Sequence, residues 1–475
     1  MDSYEKLILP ENWAWMPVKE IIEKIPLTNK KLKQKEYQQN GKFPVIDQGQ
    51  VFIGGYTDKE ELKISYESPL IVFGDHTKIV KFVNFDFVAG ADGVKVIRPK
   101  KVFYPRLFYY FIQGIPLPDK GYARHFQFLE KSFIPLPPLP EQHRIVERIE
   151  QLFTNLDAGV ESLKAARAQL KRYRQSVLKS ACEGRLVPNE AELARAEGRE
   201  YEPAEVLLER ILEERRRKWE EKNKGKKYKD PIAPETDKLN ELPEGWHWGG
   251  LDEISQHIVD CLHSTPKFVN EGKYCIDTNC IEQGKIIFEN ARFVSVDTYN
   301  ERVRRLVPKA GDILFAREGT IGTAVIVPPN FDICLGQRMM MFRTENGIDS
   351  SYFMLALQSK IFELQWKLKI TGSTVPHINI GEIKMMAIPL PPLTEQHRIV
   401  TEVERCLLAA DEMEKTIEHS LKQAERLRQS ILKRAFEGKL IPQDPEDEPA
   451  GVLLERIKGE KAKREAEEKA KNKKR

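Results

Sequence analysis

Two stretches of the chain carry the same long apolar stripe. In residues 141–182, Ile149, Leu152, Leu156, Val160, Leu163, Ala166, Leu170, Tyr173 and Val177 recur at steps of three and four. Residues 395–436 repeat the pattern with Val403, Leu407, Ala410, Met413, Ile417, Leu421, Ala424, Leu427 and Ile431. A mean step near 3.5 is the spacing of a coiled-coil seam. Each helix would be roughly 60 Å long at 1.5 Å per residue. Pro138 and Pro140 block upstream continuation of the first helix. Gly184 with Pro188, and Gly438 with Pro442, supply matching stops. Two equal stripes predict an intramolecular antiparallel pair, a rod of fixed length.

Ahead of each stripe the pattern changes to short apolar runs broken by turn signals. FPVID, PLIVFGD, KIVKFVNFDFVAG and GVKVIRP fill residues 43–99, followed by PRLFYYFIQG at 105–114. Residues 273–343 contain YCIDT, GKIIF, GDILFAREGTIGTAVIVPP and RMMMFRT, and SYFMLALQS follows at 351–359. Val-, Ile- and Phe-rich runs of this length predict strands. Each segment reads as a small mixed α/β module, with one short helix after the strands.

The repetition is more than compositional. IPLPPLPEQHRIV (134–146) and IPLPPLTEQHRIV (388–400) differ at one position. RYRQSVLKSACEGRLVP (172–188) matches RLRQSILKRAFEGKLIP (426–442) at the same offset of 254 residues. PAEVLLERI (203–211) matches PAGVLLERI (449–457), and LPENWAW (9–15) matches LPEGWHW (242–248). The chain is a tandem duplication. Residues 16–133 and 249–387, which lie inside the repeated frame, show little mutual similarity. A retained frame with diverged contents predicts two related modules with different targets.

Composition narrows the function classes. In 475 residues, 41% hydrophobic and 31% charged, the formal net charge is +4, so any basic surface must be local. No run approaches the 18 apolar residues of a membrane span, and the first residues carry no apolar signal core, so a soluble cytoplasmic protein is expected. Six scattered cysteines form no Cys-x-x-Cys pair, which predicts reduced structural thiols and no metal site. The basic runs at 222–229 and 471–475 read as solvated linkers or as phosphate contacts.

Catalytic signatures are missing. No Gly-Lys precedes Ser or Thr as a phosphate-cradling loop needs, and Phe52-Ile53-Gly54-Gly55 lacks dinucleotide-binding spacing. The methyltransferase pattern Asn/Asp-Pro-Pro-Tyr/Phe is not found. Asp260, Glu271 and Lys273 resemble a magnesium-nuclease triad only superficially. No catalytic residue is assigned. Polar groups are better candidates for reading base edges: His76, Thr77 and Lys78, and Arg317 and Thr320, where strands should end; and Arg124 and His125, and Thr374 with His377, on glycine-led segments just before each proline block. Gln142, His143 and Arg144, with their repeats Gln396, His397 and Arg398, are candidates for contact with a partner protein. The adjacent Glu141 and Glu395 suit capping of helix N-termini.

The doubled IPLPPLxEQHRIV block, EGRLVP/EGKLIP, PAxVLLERI and LPEGW together resemble the specificity subunit of type I restriction-modification systems. The resemblance spans the chain. It implies two α/β (α+β) target recognition domains, about 1–135 and 240–389. Helical regions at 136–239 and 390–475 would join them through an antiparallel coiled coil, in a pseudo-two-fold tandem duplication. It further implies a non-catalytic reader of a bipartite duplex DNA site. Two modification (methyltransferase) subunits and two ATP-driven restriction subunits would be its partners. S-adenosylmethionine, ATP and Mg would be used by those subunits, with no cofactor in this chain. A rival expectation from the residues alone is a coiled-coil scaffold whose modules bind protein or RNA. A steep fall of binding with salt would favour DNA over an apolar protein interface.

Overall fold

The computed structural model describes residues 7–91, 93–118, 121, 123–282, 284–372, 375–456 and 459. The two striped segments form helices Leu139–Cys182 and Leu393–Phe436, each 44 residues long and starting two residues before the predicted positions. The chain divides into two compact units, 1–165 with 417–475, and 166–416. Each unit therefore holds one insert, a part of the first long helix and a part of the second.

In the first unit, strands Ile22–Lys24, Val94–Pro99, Leu70–Gly74 and Val80–Val83 form an antiparallel sheet in that order. Leu70–Gly74 is buried along its whole length, which is why its sequence is an unbroken apolar run rather than an alternation. A second sheet is built on Phe87–Gly90, which runs parallel to Lys31–Leu32 and to Phe43–Ile46; the latter pairs in turn with Gly55–Thr57. Helix Pro105–Gln113 places Pro105 where a helix needs no N–H and buries Leu107, Phe108, Tyr110, Phe111 and Ile112. Those side chains meet Ile145, Ile149 and Phe153 of the first long helix and Ile431, Leu432 and Phe436 of the second in one core.

The second unit repeats this plan. Strands Ser255–Asp260, Met339–Thr344, Ile313–Ala316 and Ala324–Ile326 form the antiparallel sheet. Lys273–Ile276 runs parallel to Ile333–Leu335 in the other sheet, as Phe43–Ile46 does to Phe87–Gly90. The two inserts thus share the strand order of the antiparallel sheet and a parallel pair beside it. Their second sheets differ at the edges: Lys31–Leu32 pairs with Phe87–Gly90 in the first unit, whereas Phe268–Val269 pairs with Arg292–Val294 in the second. Val177, Ala181 and Cys182 from the first long helix and Ile399, Val403 and Cys406 from the second join the core beneath.

The long helices pair antiparallel within each unit. In the first, the Arg428 guanidinium lies 4.2 Å from the centre of the Phe153 ring and also pairs with Asp157. In the second, Arg174 donates to Asp411 at 2.7 Å and pairs with Glu414 at 2.8 Å. Most stripe residues face inward, but Tyr173, Met413 and Leu427 are about half exposed. Ion pairs such as that of Arg174 with Asp411 stand beside the apolar seam there.

The repeated blocks assemble crosswise. Trp13 donates its indole N–H to Glu141 at 2.9 Å, and Trp246 donates to Glu395 at 3.0 Å. Gly184 and Gly438 take φ of 67° and 69°, the left-handed cap that stops each long helix. A Cβ on Gly184 would lie 2.6 Å from Pro243, and one on Gly438 would lie 2.5 Å from Pro10. Ala204 N–H donates to the Gly245 carbonyl, and Ala450 N–H to that of Asn12. So EGRLVP and PAEVLLERI of the first copy close around LPEGWHW of the second. EGKLIP and PAGVLLERI of the second close around LPENWAW of the first. The PAEVLLERI block opens a helix, Ala204–Lys222, and the terminal basic run lies outside the described residues.

Candidate nucleic-acid interface

In the first unit, the turn 75–79 leaves the buried strand Leu70–Gly74, with Lys78 at φ 60°. Asp75 is buried and ties this turn to the segment before helix Phe126–Lys131. Its carboxylate accepts the Phe126 N–H at 2.8 Å, and its carbonyl accepts the His125 N–H at 2.7 Å. The turn also meets the loop 47–54: Thr77 Oγ1 donates to the Gln48 carbonyl at 2.8 Å, and His76 N–H donates to Gln48 Oε1 at 3.3 Å. Beneath that loop, Lys81 is 4% exposed. Its ammonium donates to the carbonyls of Val51 and Phe52 at 2.6 and 3.3 Å and to Asp47 at 3.5 Å. Burial pulls the Lys81 pKa below the usual lysine range, and the nearby Asp47 carboxylate opposes the shift.

In the second unit, Arg317 follows strand Ile313–Ala316, at the position Asp75 takes in the first, and is 7% exposed. Its guanidinium donates to both Asp260 oxygens at 2.8 and 3.0 Å and to the Ile378 carbonyl at 3.0 Å. Planar bidentate pairing of this kind fixes both position and orientation. The exposed His263 shares the Asp260 carboxylate at 2.9 Å. Gly319 N–H donates to the Pro376 carbonyl, and Ile378 N–H to that of Arg317, so the 371–378 segment is laced to the 317–323 turn. Arg302 caps the carbonyls of Leu262, Ser264 and Leu335, which holds the segment bearing His263. Burial, with Asp260 beside it, pushes the Cys261 thiol up to about 12, far from a reactive thiolate.

The structure sorts the residues singled out from the sequence. His76, Thr77, Lys78 and Arg124 gather at one edge of the first unit, with Thr77 and Arg124 exposed. Thr320 is exposed and His377 half-buried at the corresponding edge of the second. His125 and Arg317 are interior residues. His125 is fully buried with Nδ1 3.0 Å from the Asp75 carbonyl, and Arg317 is committed to Asp260 and Ile378. Thr374 lies outside the described residues. The nuclease-like triad does not assemble: Asp260 is bound by Arg317, whereas Lys273 pairs with Asp332 at 2.5 Å.

The residues considered for partner contact divide in the same way. Gln142 and Gln396 are fully buried, and each donates its amide to a carbonyl of the preceding proline run, Pro137 or Pro391. Their side-chain oxygens accept the N–H groups of Tyr104 and Asp349. They fasten each helix start to its module. Arg144 pairs with Asp447, and Arg398 with the buried Glu190, both at 2.5 Å. His143 and His397 remain exposed, the first with its ring centre 4.1 Å from that of Tyr104, the second 3.6 Å from Asp349. Glu141 and Glu395 do more than complement a helix end, since each anchors a tryptophan of the frame. The sequence reading passed over Asp47, Lys81 and His263. One signal was present: FPVID and YCID both end a strand in aspartate, Asp47 and Asp277.

A family profile described as the type I restriction modification DNA specificity domain matches residues 10–165 and again 262–423, most of the chain. The chain belongs to the type I restriction-modification DNA specificity family. Both strand-end edges lie largely within the matched segments. The EcoKI specificity subunit of Escherichia coli K12 is 25% identical over 498 residues, covering 96% of each chain. The StySPI specificity subunit of Salmonella potsdam is 27% identical over 495 residues, again 96% of each. The EcoBI specificity subunit of Escherichia coli is 27% identical over 348 residues, 70% of this chain and 65% of that subunit. A chain from a solved structure of a type I R-M system has the same fold, with a TM-score of 0.59 at 18% identity, covering 91% of this chain and 99% of that one. The family's domain thus occurs twice here, as the duplication requires. No helix among the described residues is long and apolar enough to cross a membrane.

Proposed function

We propose that the chain is the non-catalytic, DNA-reading subunit of a cytoplasmic type I restriction-modification complex, with each insert reading one half of a split duplex site. The observation that carries this reading is a four-stranded antiparallel sheet of the same strand order in both inserts, with different residues at its edge. Asp75, His76 and Thr77 occupy in one unit the place that Arg317, Glu318 and Gly319 occupy in the other. Equal scaffolds with unequal edges suit an asymmetric target, because sequence is read by the side chains that reach base edges. The paired helices, equal at 44 residues, would set the gap between the half-sites. The duplicated frame would offer matching docking positions to two identical modification subunits. His143 and His397, exposed at equivalent places, are the contact candidates that the geometry favours. Two restriction subunits would complete the assembly, and S-adenosylmethionine, ATP and Mg would be handled by the partners. The test is an exchange of residues 16–133 for the insert of another family member, followed by mapping of the methylated site in cells that also express the modification subunit. One half-site should change while the other half and the gap stay constant. A site unchanged in both halves would overturn the modular reading.

A further inference from the structure

The loop 47–54 presents exposed side chains at its tip. Gln50 is exposed, Val51 is 71% exposed and Phe52 is 42% exposed. A loop that only joins two strands carries polar or turn-forming residues at its tip. Here apolar groups stand in solvent while the backbone under them is fastened from inside. Lys81 holds the Val51 and Phe52 carbonyls. Asp47 accepts the Gly49 N–H at 2.9 Å, and the Val45 carbonyl accepts the Gly54 N–H at 2.9 Å. The Phe52 ring packs edge-on to Phe85 at 6.2 Å. A buried lysine is costly to place, and rigid presentation of the tip is what it achieves. Gln48 joins this loop to the 75–78 turn, which carries Lys78. The exposed Arg124 precedes His125, whose N–H the Asp75 carbonyl of that turn accepts, so both cations stand on the same edge as groups for phosphate contact.

We infer that Gln50, Val51 and Phe52 read base edges in the half-site of the first unit, with Lys81 as the residue that positions them. This rests on the DNA-reading function proposed above. The chemistry is specific: a glutamine amide matches the adenine N6 and N7 pair in the major groove, and apolar groups match the thymine methyl. The loop is therefore suited to at least one A·T pair.

The test is a selection from randomised duplex DNA with the full chain in complex with its modification subunits, run for the parent and for Gln50→Ala, Val51→Ala, Phe52→Ala and Lys81→Met. The parent should enrich a bipartite motif with an A·T pair in one half. Gln50→Ala should weaken the preference at one such position by about 5- to 150-fold, the range of a good bidentate contact. Val51→Ala and Phe52→Ala should relax a neighbouring position. Lys81→Met should relax several positions of that half together. In every variant the other half-site should be read as in the parent, an internal control that the complex is folded. Gln50, Val51 and Phe52 are exposed, so their variants decide the matter even if Lys81→Met fails to fold. A parental motif that persists unchanged in the three exposed-loop variants would overturn the inference while leaving two half-site readers intact. Absence of any parental motif would overturn the DNA-reading function itself, and this inference with it.

Discussion

Arg317 sits where a base-reading arginine was expected, yet its surroundings make it a tie between three segments. Arg317→Met tests this. The substitution keeps most of the aliphatic volume and removes two bonds to Asp260 and one to the Ile378 carbonyl. Breaking a buried pair by removing one partner costs about 3–5 kcal/mol, because the remaining charge is left uncompensated. Asp260 would keep His263 at 2.9 Å, which places the expected loss near the lower end, about 3 kcal/mol. For a unit of this size, that corresponds to a fall in melting temperature of roughly 6–12 °C. Scanning calorimetry of the full chain should show the shift in a transition of the second unit alone. Arg317→Met combined with Asp260→Asn should cost less than the single variant costs with Asp260 intact, the coupling expected of partners in contact. An unchanged melting profile, together with altered preference at one base position, would refute this reasoning and restore Arg317 as a reader.

Further expectations follow from the frame and the helices. Burial pushes the Glu141 carboxyl above the usual range, so the folded state binds that proton more tightly than the unfolded chain does. Its contribution is fully present below the ordinary carboxylate pKa and is lost as pH rises through the raised value. Glu141→Gln should therefore gain in relative melting temperature as pH is raised from 4 to 8, and a difference independent of pH would contradict the assignment. Glu190 behaves oppositely: burial raises its pKa, but bonds from Arg199 and Arg398 outweigh this and hold the carboxyl below its usual range. Arg398→Met should lower the melting temperature near neutral pH, and the deficit should shrink as pH falls below about 4, where the parent loses the same pair. Trp246→Phe, which orphans Glu395 on one side, should destabilise the second unit by about 1–3 kcal/mol in denaturant titration. A midpoint unchanged by that substitution would remove the tryptophan–glutamate pair from the frame's supports.

Much of the fold was legible because the signals were long or repeated. The two helices emerged from stripes that outlast any strand, and their ends from Gly184 and Gly438, whose left-handed conformation leaves few alternatives. The buried runs LIVF and ILFA announced strands, but not that they occupy the same place in two sheets of one topology. Topology depends on which strands meet, and a run buried on both faces looks alike wherever it lies. The crosswise closure of the repeats was equally hidden, since Trp13 meets Glu141 but Gly438 across the sequence lies against Pro10. At the candidate interface, residue type alone did not reveal burial. His125, Arg317, Gln142 and Gln396 are polar and near turns, yet each is buried because its donors serve carbonyls of the fold. Conversely, Val51 and Phe52 are apolar and stand in solvent.

The central proposal is that the paired helices set the gap between two unequal half-sites. The most direct measurement is the bipartite motif selected from randomised duplex DNA by the complex of the parent chain and by that of a variant lacking seven residues from the middle of each long helix. Seven residues are about 10 Å of helix, roughly three base pairs of duplex. The account predicts the same two half-sites in both selections, with the gap shortened by about three base pairs in the variant. Two half-sites at an unchanged gap would contradict the helices' role as the ruler, and a single continuous motif from the parent would contradict the two-reader account as a whole.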